Sequence, residues 1–474
     1  MIPGDVPNLI GGESVAASSG DWLEKLRPTD GSVLCRFAGS GAADIDAAVT
    51  VARAAQLSWA ERTPVERGDT LRELALMLRD RRDEASEIVA EETGKPIELA
   101  RGETDAAVEM GLFVAGEGRR SYGRTTTASM PHRTVLTVRQ PLGVAGLIMS
   151  FNTPLPNVAW KVFPALLCGN AAVVKPSEHT PASAWLFGTL AAEAGVPAGV
   201  LNIVQGAGAD AGAPLVEHAD VDLVSFTGSA ETGRWINERA GRRLAKVCLE
   251  LGGKNALVVC DDAELESATR WALASAFSNA GQRCASASRL VVFDAVYDAF
   301  RDRLVEEVHA LDPQPVISEA SLERILGAID KAVAGGARVV VGGERLDREG
   351  WHLAPTLIEG AAPDAEISCT ELFGPVSLLY RVRDLDEALE LVNDSPYGLT
   401  AAIHTASLHR AMRFAEKVQA GFVVVNAGTH GSEPHMGFGG VKQSGTGWRE
   451  AGVEALDVYS DWKVVNLVAD PALA

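Results

Sequence analysis

Apolar residues recur at helical spacing near the start of the chain. Within 43–56, Ile45, Val49 and Ala52 fall on one face, and Leu71, Leu74 and Leu78 repeat that stripe further on. The helical pattern continues from Glu84 to Glu92. It stops at Thr93-Gly94-Lys95-Pro96, where Gly94 supplies a left-handed C-terminal position and Pro96 prevents continuation. The first hundred residues therefore read as mainly helical. Over 121–140 the chain becomes rich in Thr, Ser and Arg, and 134–138 suits a strand, so a projecting hairpin is expected there. Beyond it, short apolar runs at 143–149, 171–174, 201–204, 222–226 and 256–260 alternate with stretches long enough for helices, such as 182–194. Runs this short do not make helices, and the alternation predicts an α/β fold with a parallel sheet and crossovers. A second α/β series follows the run 289–293, and 461–468 reads as a closing strand. No internal repeat or low-complexity linker interrupts this order.

Composition narrows the function classes. The chain has 474 residues, 47% hydrophobic and 22% charged, enough for a large core in about three structural units. A net charge of −20 disfavours nucleic acid and anionic membrane surfaces as partners, while leaving room for local positive charge around a small substrate. Cys35, Cys168, Cys248, Cys260, Cys284 and Cys369 form no C-x-x-C pair and no zinc spacing, so no metal site is expected. Scattered reduced thiols and an N-terminus without a signal-peptide pattern predict a cytoplasmic protein. The most apolar stretch, 141–160, is interrupted by Ser150, Asn152, Pro154, Pro156 and Asn157, so no membrane span is expected.

Four segments carry candidate chemistry, each with a plain alternative. A strand runs into Gly228-Ser229 and Gly233, and the N–H groups at the start of the following helix could hold a pyrophosphate; glycines at a tight β-to-α turn would look the same. Lys175-Pro176-Ser177-Glu178 follows a strand at a sheet edge that commonly binds ligands; a Pro-started, acid-capped helix is equally consistent. Glu250, between Leu249 and Leu251, has the apolar surroundings that raise a carboxyl pKa and suit a general base, unless a nearby Lys or Arg pairs with it. Cys284 follows a Gly-Gln-Arg turn, and the adjacent guanidinium of Arg283 is expected to favour its thiolate.

In this order, FNTPLPNVAWK at 151–161, GNAAVVKPSE at 169–178, VSFTGSAETG at 224–233, LELGGKN at 249–255, GQRC at 281–284 and TELFGP at 370–375 resemble the NAD(P)-dependent aldehyde dehydrogenase superfamily. TGKP at 93–96 and GFGGVKQSGTGWREAG at 437–452 extend the resemblance across nearly the whole chain. It implies Cys284 as nucleophile, Glu250 as the base that activates water, Asn152 as oxyanion donor, and Lys161 with Glu450 as a proton-shuttling pair. It further implies Lys175, Ser177 and Glu178 at the adenosine ribose, and Gly228, Ser229 and Gly233 at the pyrophosphate. Ser150, Phe151, Thr227 and Leu251 would line the cofactor cleft, with Thr227 against the nicotinamide and Glu371 and Phe373 at its ribose. An acid at Glu178 implies NAD, with NADP as the alternative cofactor.

The implied architecture is an aldehyde dehydrogenase fold. Residues 1–118 and 141–252 form a Rossmann-like NAD-binding domain, 253–441 an α/β catalytic domain, and 119–140 with 459–474 a β arm that joins subunits into a homodimer or homotetramer. Subfamily likeness in GEGRRSYG at 116–123, GQRC and GWREAG at 447–452 is to 2-oxoglutarate semialdehyde dehydrogenases and related enzymes. The expected substrate is a small semialdehyde, with Arg283 as a candidate partner for its anionic end and Thr153, Asn157 and His435 as further lining; His430 shares the last loop. The alternative for Arg283 is a structural ion pair. The departures from the family pattern are Phe151, Thr153, Gly437 and an extra residue at Trp448, which puts the placement of Glu450 in question. A CoA-acylating enzyme, a redox-free ester hydrolase and a non-catalytic nucleotide-binding homologue are the rival readings.

Overall fold

A computed structural model describes residues 2–469. The chain opens with five short strands rather than with helix: Asp5–Val6, Asn8–Ile10, Glu13–Val15, Trp22–Leu26 and Val33–Ala38. Helix nevertheless makes up most of the first hundred residues, as expected, and what the helical reading misses is the strands before Ala42. Strands of two to six residues carry too little periodicity to be read locally; two of them exist because an edge formed by later segments receives them, as Leu9 pairs with Ile203, and the other three pair among themselves in a small sheet. The helices then follow as Ala42–Glu61, Pro64–Asp80, Arg82–Thr93 and Ile97–Glu117. Thr63 caps the second, its hydroxyl accepting from Glu66 N while the Glu66 carboxylate reaches back, and Pro64 sits at the first helical position. Gly94 ends the third at φ 72°, in the expected left-handed conformation. The stripes Ile45, Val49, Ala52 and Leu71, Leu74, Leu78 are fully buried. Each large aliphatic side chain so covered contributes about 1.5–3 kcal/mol.

The first large sheet orders its strands Lys246–Leu251, Leu223–Gly228, Val144–Ile148, Ala171–Lys175, Leu201–Ile203, Asn8–Ile10 and Glu13–Val15. The first five are mutually parallel, and the two N-terminal strands add antiparallel. Succession along the chain reverses at Val144–Ile148, which has Ala171–Lys175 on one side and Leu223–Gly228 on the other. A crevice therefore opens at the C-terminal strand ends, where ligands of open α/β sheets bind. The segments 149–153, 175–178, 227–233 and 250–254 all lie at that edge.

The second large sheet runs Arg338–Val341, Thr356–Glu359, Val376–Val382, Ala287–Phe293, Asn255–Val259, Thr400–His404 and Phe422–Val425, parallel except for its first strand. The predicted hairpin is present as Thr125–Thr126 and Arg133–Pro141, and the closing strand Ser460–Val468 pairs antiparallel with the latter along its length. The Arg139 guanidinium stacks 4.2 Å from the Trp462 ring and pairs with Asp457 at 2.7 Å, fixing the root of this arm. Residues 470–474 of the predicted arm lie outside the described residues. All six cysteines are free thiols, and no helix among the described residues is long and apolar enough to cross a membrane.

Candidate active site

Cys284 sits between the turn Ser278–Gly281 and the strand Ala287–Phe293. Three consecutive residues in that turn are left-handed: Asn279 at φ 56°, Ala280 at φ 51° and Gly281 at φ 66°. At Gly281 a Cβ would lie 2.2 Å from the Gly374 carbonyl, so only glycine fits. Beyond the turn, Asn255 Nδ2 donates to the carbonyls of Cys284 at 2.7 Å and Ser286 at 2.9 Å, and Thr429 Oγ1 donates to Ala285 O at 2.5 Å. The nucleophile's backbone is thereby tied to the start of the second sheet. The Cys284 side chain is half-buried, and burial together with the charges of Glu371 and Glu250 pushes its thiol up to about 12. Arg283 lowers it, the direction expected of a neighbouring guanidinium, but desolvation and two carboxylates outweigh that one cation.

Glu250 is the penultimate residue of the strand Lys246–Leu251 at 5% exposure, and neither of its carboxylate oxygens has a hydrogen-bond partner among the described residues. It is not in a structural pair. Burial, then the charge of Glu450, raises its pKa well above the ordinary carboxyl range. Its main chain is held by the segment 444–446, where Ser444 O accepts from Leu251 N at 2.9 Å and Ser444 Oγ donates to Gly252 O at 2.8 Å. Gly439 passes so close that a Cβ there would sit 2.8 Å from Glu250 Oε1.

Glu450 has the opposite environment. It forms a fully buried ion pair with Lys161, and Ser225 Oγ donates to its Oε1 at 2.7 Å. Lys161 Nζ also donates to Ser225 Oγ at 2.8 Å, and the Tyr459 hydroxyl reaches the same oxygen at 3.3 Å. The extra residue at Trp448 does not dislodge Glu450. Its backbone pairs with Phe438 in both directions, at 2.7 and 2.8 Å, and Lys246 covers the Trp448 ring at 4.6 Å. Ser225 and Tyr459 were not singled out from the sequence; Ser225 shows there only as one polar residue inside an apolar strand.

Asn152 follows the strand Val144–Ile148 and is 7% exposed. Asn157 Nδ2 donates to Asn152 Oδ1 at 3.3 Å and to Thr153 Oγ1 at 3.2 Å, which leaves the Asn152 amide nitrogen as a donor with no partner among the described residues. The N–H of Cys284 likewise meets no acceptor among them. An unspent side-chain amide and an unspent backbone N–H are the kinds of donor a tetrahedral oxyanion requires.

The dinucleotide crevice carries a matching set of groups. Lys175, 2% exposed, donates to Gly206 O at 3.2 Å and reaches the Glu178 carboxylate at 3.5 Å; Ser177 Oγ accepts from His179 N. Ser229 caps the helix Ala230–Gly241 by accepting from Thr232 N at 3.2 Å. A Cβ at Gly228 would meet the Phe226 ring at 2.3 Å, and one at Gly233 would meet Leu251 at 2.5 Å, so these glycines let helix and strand approach closely while leaving helix N–H groups facing the strand ends. Glu371 accepts from Gly253 N at 3.1 Å, and burial raises its carboxyl to about 7. A Cβ at Gly252 would collide with that carboxylate at 1.9 Å. The Phe151 ring packs edge-on against both Phe373 and His179, with centroids 5.5 Å apart in each case, so it spans the distance between the Glu371 and Glu178 segments. These residues fit a dinucleotide: a glycine-lined helix start for its phosphates and a carboxylate for each ribose.

Arg283 Nε is buried with no partner, and its guanidinium forms no ion pair among the described residues. It lines a cavity of about 20 Å³ with Gly253, Gly281, Ser286, Glu371 and Phe373. The two loop histidines differ. His435 is exposed beside Glu433 at 3.7 Å, whereas His430 is mostly buried, with an unpartnered Nδ1 and a pKa lowered to about 4 by burial and by Arg283. His430, not His435, is the one under the influence of Arg283.

Fold and site together define a dinucleotide-dependent oxidoreductase acting on a carbonyl carbon. The model of the aldehyde dehydrogenase family matches residues 15–465, and the chain belongs to that family as an NAD(P)-dependent aldehyde dehydrogenase. It is 35% identical over 473 residues to an alpha-ketoglutaric semialdehyde dehydrogenase of Bacillus subtilis, covering 97% of each chain. It is 38% identical over 472 residues to an alpha-ketoglutarate semialdehyde dehydrogenase of Haloferax volcanii, covering 97% of this chain and 98% of that one. Among solved structures, a betaine aldehyde dehydrogenase of Staphylococcus aureus in complex with NAD+ superimposes with a TM-score of 0.96 at 32% identity, over 99% of this chain and 96% of the other.

Proposed function

We propose that this dehydrogenase converts a small anionic semialdehyde to the carboxylate, with NAD preferred over NADP. The observation that carries the substrate class is the unpaired Arg283 guanidinium one residue before the nucleophile, which suits a carboxylate at the far end of a short aldehyde. Thr153 and Asn157 line the approach beside Asn152. Two relatives at 35% and 38% identity carry semialdehyde names, which agrees with this reading.

In the proposed mechanism Cys284 Sγ loses its proton to solvent water and the thiolate adds to the aldehyde carbon. The carbonyl oxygen becomes an oxyanion held by Asn152 Nδ2 and the Cys284 N–H. Bound nicotinamide supplies the hydride acceptor. Glu250, once ionised, takes a proton from water as the hydroxyl oxygen attacks the Cys284 thioester, and the thiolate leaves. Lys161, Ser225 and Glu450 then hold the path by which that proton departs. Lys175, Ser177 and Glu178 would hold the adenosine ribose, where the Glu178 charge repels a 2′-phosphate. Gly228, Ser229 and Gly233 would frame the pyrophosphate. Ser150, Phe151, Thr227, Leu251, Glu371 and Phe373 would enclose the nicotinamide half. The first sheet with its helices serves as the cofactor domain and 253–441 as the catalytic domain. The arm joins copies into a homodimer or homotetramer, consistent with exposed Val464, Leu467 and Val468 on its outer strand. Six unpaired thiols suit a cytoplasmic location.

An unpartnered Glu250 favours water over CoA as the deacylating nucleophile. Arg283→Ala tests the substrate class: it raises KM about tenfold or more for an anionic semialdehyde and by far less for a neutral aldehyde of equal length. Equal increases for both would end the assignment.

A further inference from the structure

The backbone carbonyl of Asn152 lies where three segments remote in sequence meet. Lys95 Nζ donates to it at 2.8 Å, and Asn279 Nδ2 donates at 3.1 Å. Lys95 is held in turn by Glu103 at 2.6 Å, with side-chain exposures of 1% and 7%. Asn279 is 3% exposed and belongs to the left-handed turn that delivers Cys284 five residues later.

One hydrogen bond satisfies a peptide carbonyl. A buried ammonium is a costly way to supply it, and a left-handed asparagine is a strained way to supply a second. Their joint effect is geometric. Holding the Asn152 carbonyl from two directions fixes the peptide plane and hence the Cα–Cβ direction, while Asn157 fixes the amide through Oδ1 at 3.3 Å. Because the amide is planar, holding Oδ1 and the backbone also holds Nδ2, and one of the clamping donors comes from the nucleophile's own turn. The distance between the two oxyanion donors is then set by a direct bond between their loops, not by each loop's separate anchorage.

We infer that Lys95 and Asn279 are positioning residues that set the Asn152 amide against the Cys284 N–H. This rests on the reading of Asn152 as an oxyanion donor. The test uses the full chain and two rates: pre-steady-state NADH formation at saturating aldehyde and cofactor, and alkylation of Cys284 by iodoacetamide, which forms no oxyanion. Asn279→Ala slows NADH formation about tenfold and leaves alkylation within about twofold. In an Asn152→Ala background the same substitution adds no further loss, because the group it positions is gone. Lys95→Met behaves likewise, and Lys95→Arg, which keeps a donor, restores most of the rate. Should Lys95→Met leave Glu103 unpaired and fail to fold, Asn279→Ala decides alone, since it changes no charge. An equal loss in both backgrounds, or alkylation slowed by the same factor as NADH formation, overturns the inference. Wild-type NADH formation in Asn152→Ala by itself would instead overturn the oxyanion reading on which it depends.

Discussion

Glu250 and Glu450 lie close in space, at 5% and 2% exposure, and the fold treats them in opposite ways. Glu450 receives an ammonium and a hydroxyl, so its charge is paired. Glu250 receives nothing, and Glu450 adds to what burial already does to its pKa. The ordinary solution to a buried carboxylate is the one found at Glu450. Leaving Glu250 bare costs stability, and the raised pKa that results suits the water-activating role proposed for it. The difference teaches that burial alone does not mark a catalytic acid or base; the absence of partners at equal burial does.

The largest test of this contrast is chemical. Glu250→Gln lowers steady-state turnover by about a thousandfold while leaving the first-turnover burst of NADH within a few-fold, because acylation does not need the base. Loss of the burst by the same factor would assign Glu250 to an earlier step. Next is stability with the opposite partner. Glu450→Gln strands Lys161 in the interior and costs about 3 kcal/mol, read from denaturant midpoints. An unchanged midpoint would mean the pair is not buried as described.

A third measurement concerns the thiol. With its pKa pushed up to about 12, alkylation of Cys284 in the absence of cofactor keeps rising from about pH 7 to about pH 10 without a plateau, and a plateau near neutrality would show that Arg283 prevails after all. The smallest effect is the most pointed. Because the folded pKa of Glu250 is raised above its unfolded value, ionising it weakens the folded state at any pH above the ordinary carboxyl range. Glu250→Gln therefore unfolds about 1–2 °C higher than wild type at neutral pH, and the gain disappears near pH 4, where both states are protonated. Glu450→Gln moves in the other direction, and matching signs would dissolve the contrast.

Much of this arrangement is legible along the chain. The buried parallel strands stand out as short apolar runs because both their faces are covered, and Gly94 marks its helix end because only a left-handed residue fits. Glu250 draws notice because a carboxylate interrupts such a run. What stays hidden depends on distant segments. The N-terminal strands have no pattern of their own and are defined by the partners they pair with, a later edge for Asn8–Ile10 and one another for Asp5–Val6, Trp22–Leu26 and Val33–Ala38. The partners of Glu450 are Lys161 and Ser225, with Tyr459 behind Ser225, and nothing near Glu450 announces them. The high thiol pKa at Cys284 escapes as well: Arg283 is adjacent in the chain, whereas Glu371 arrives only through folding. Asn279 looks like an ordinary turn residue until its amide is seen on Asn152.

The segment around Ser444 and Glu450, stitched onto the first sheet at Leu251, Gly252 and Ser225, also dictates when this protein becomes an enzyme. A ribosome must release the chain through Glu450 before that segment can dock on residues about two hundred positions earlier, and contacts of such long sequence separation form slowly. A nascent chain thus carries Cys284 through the addition of residues 285–450 without a finished site around it, and competence waits for the segment that holds Glu450.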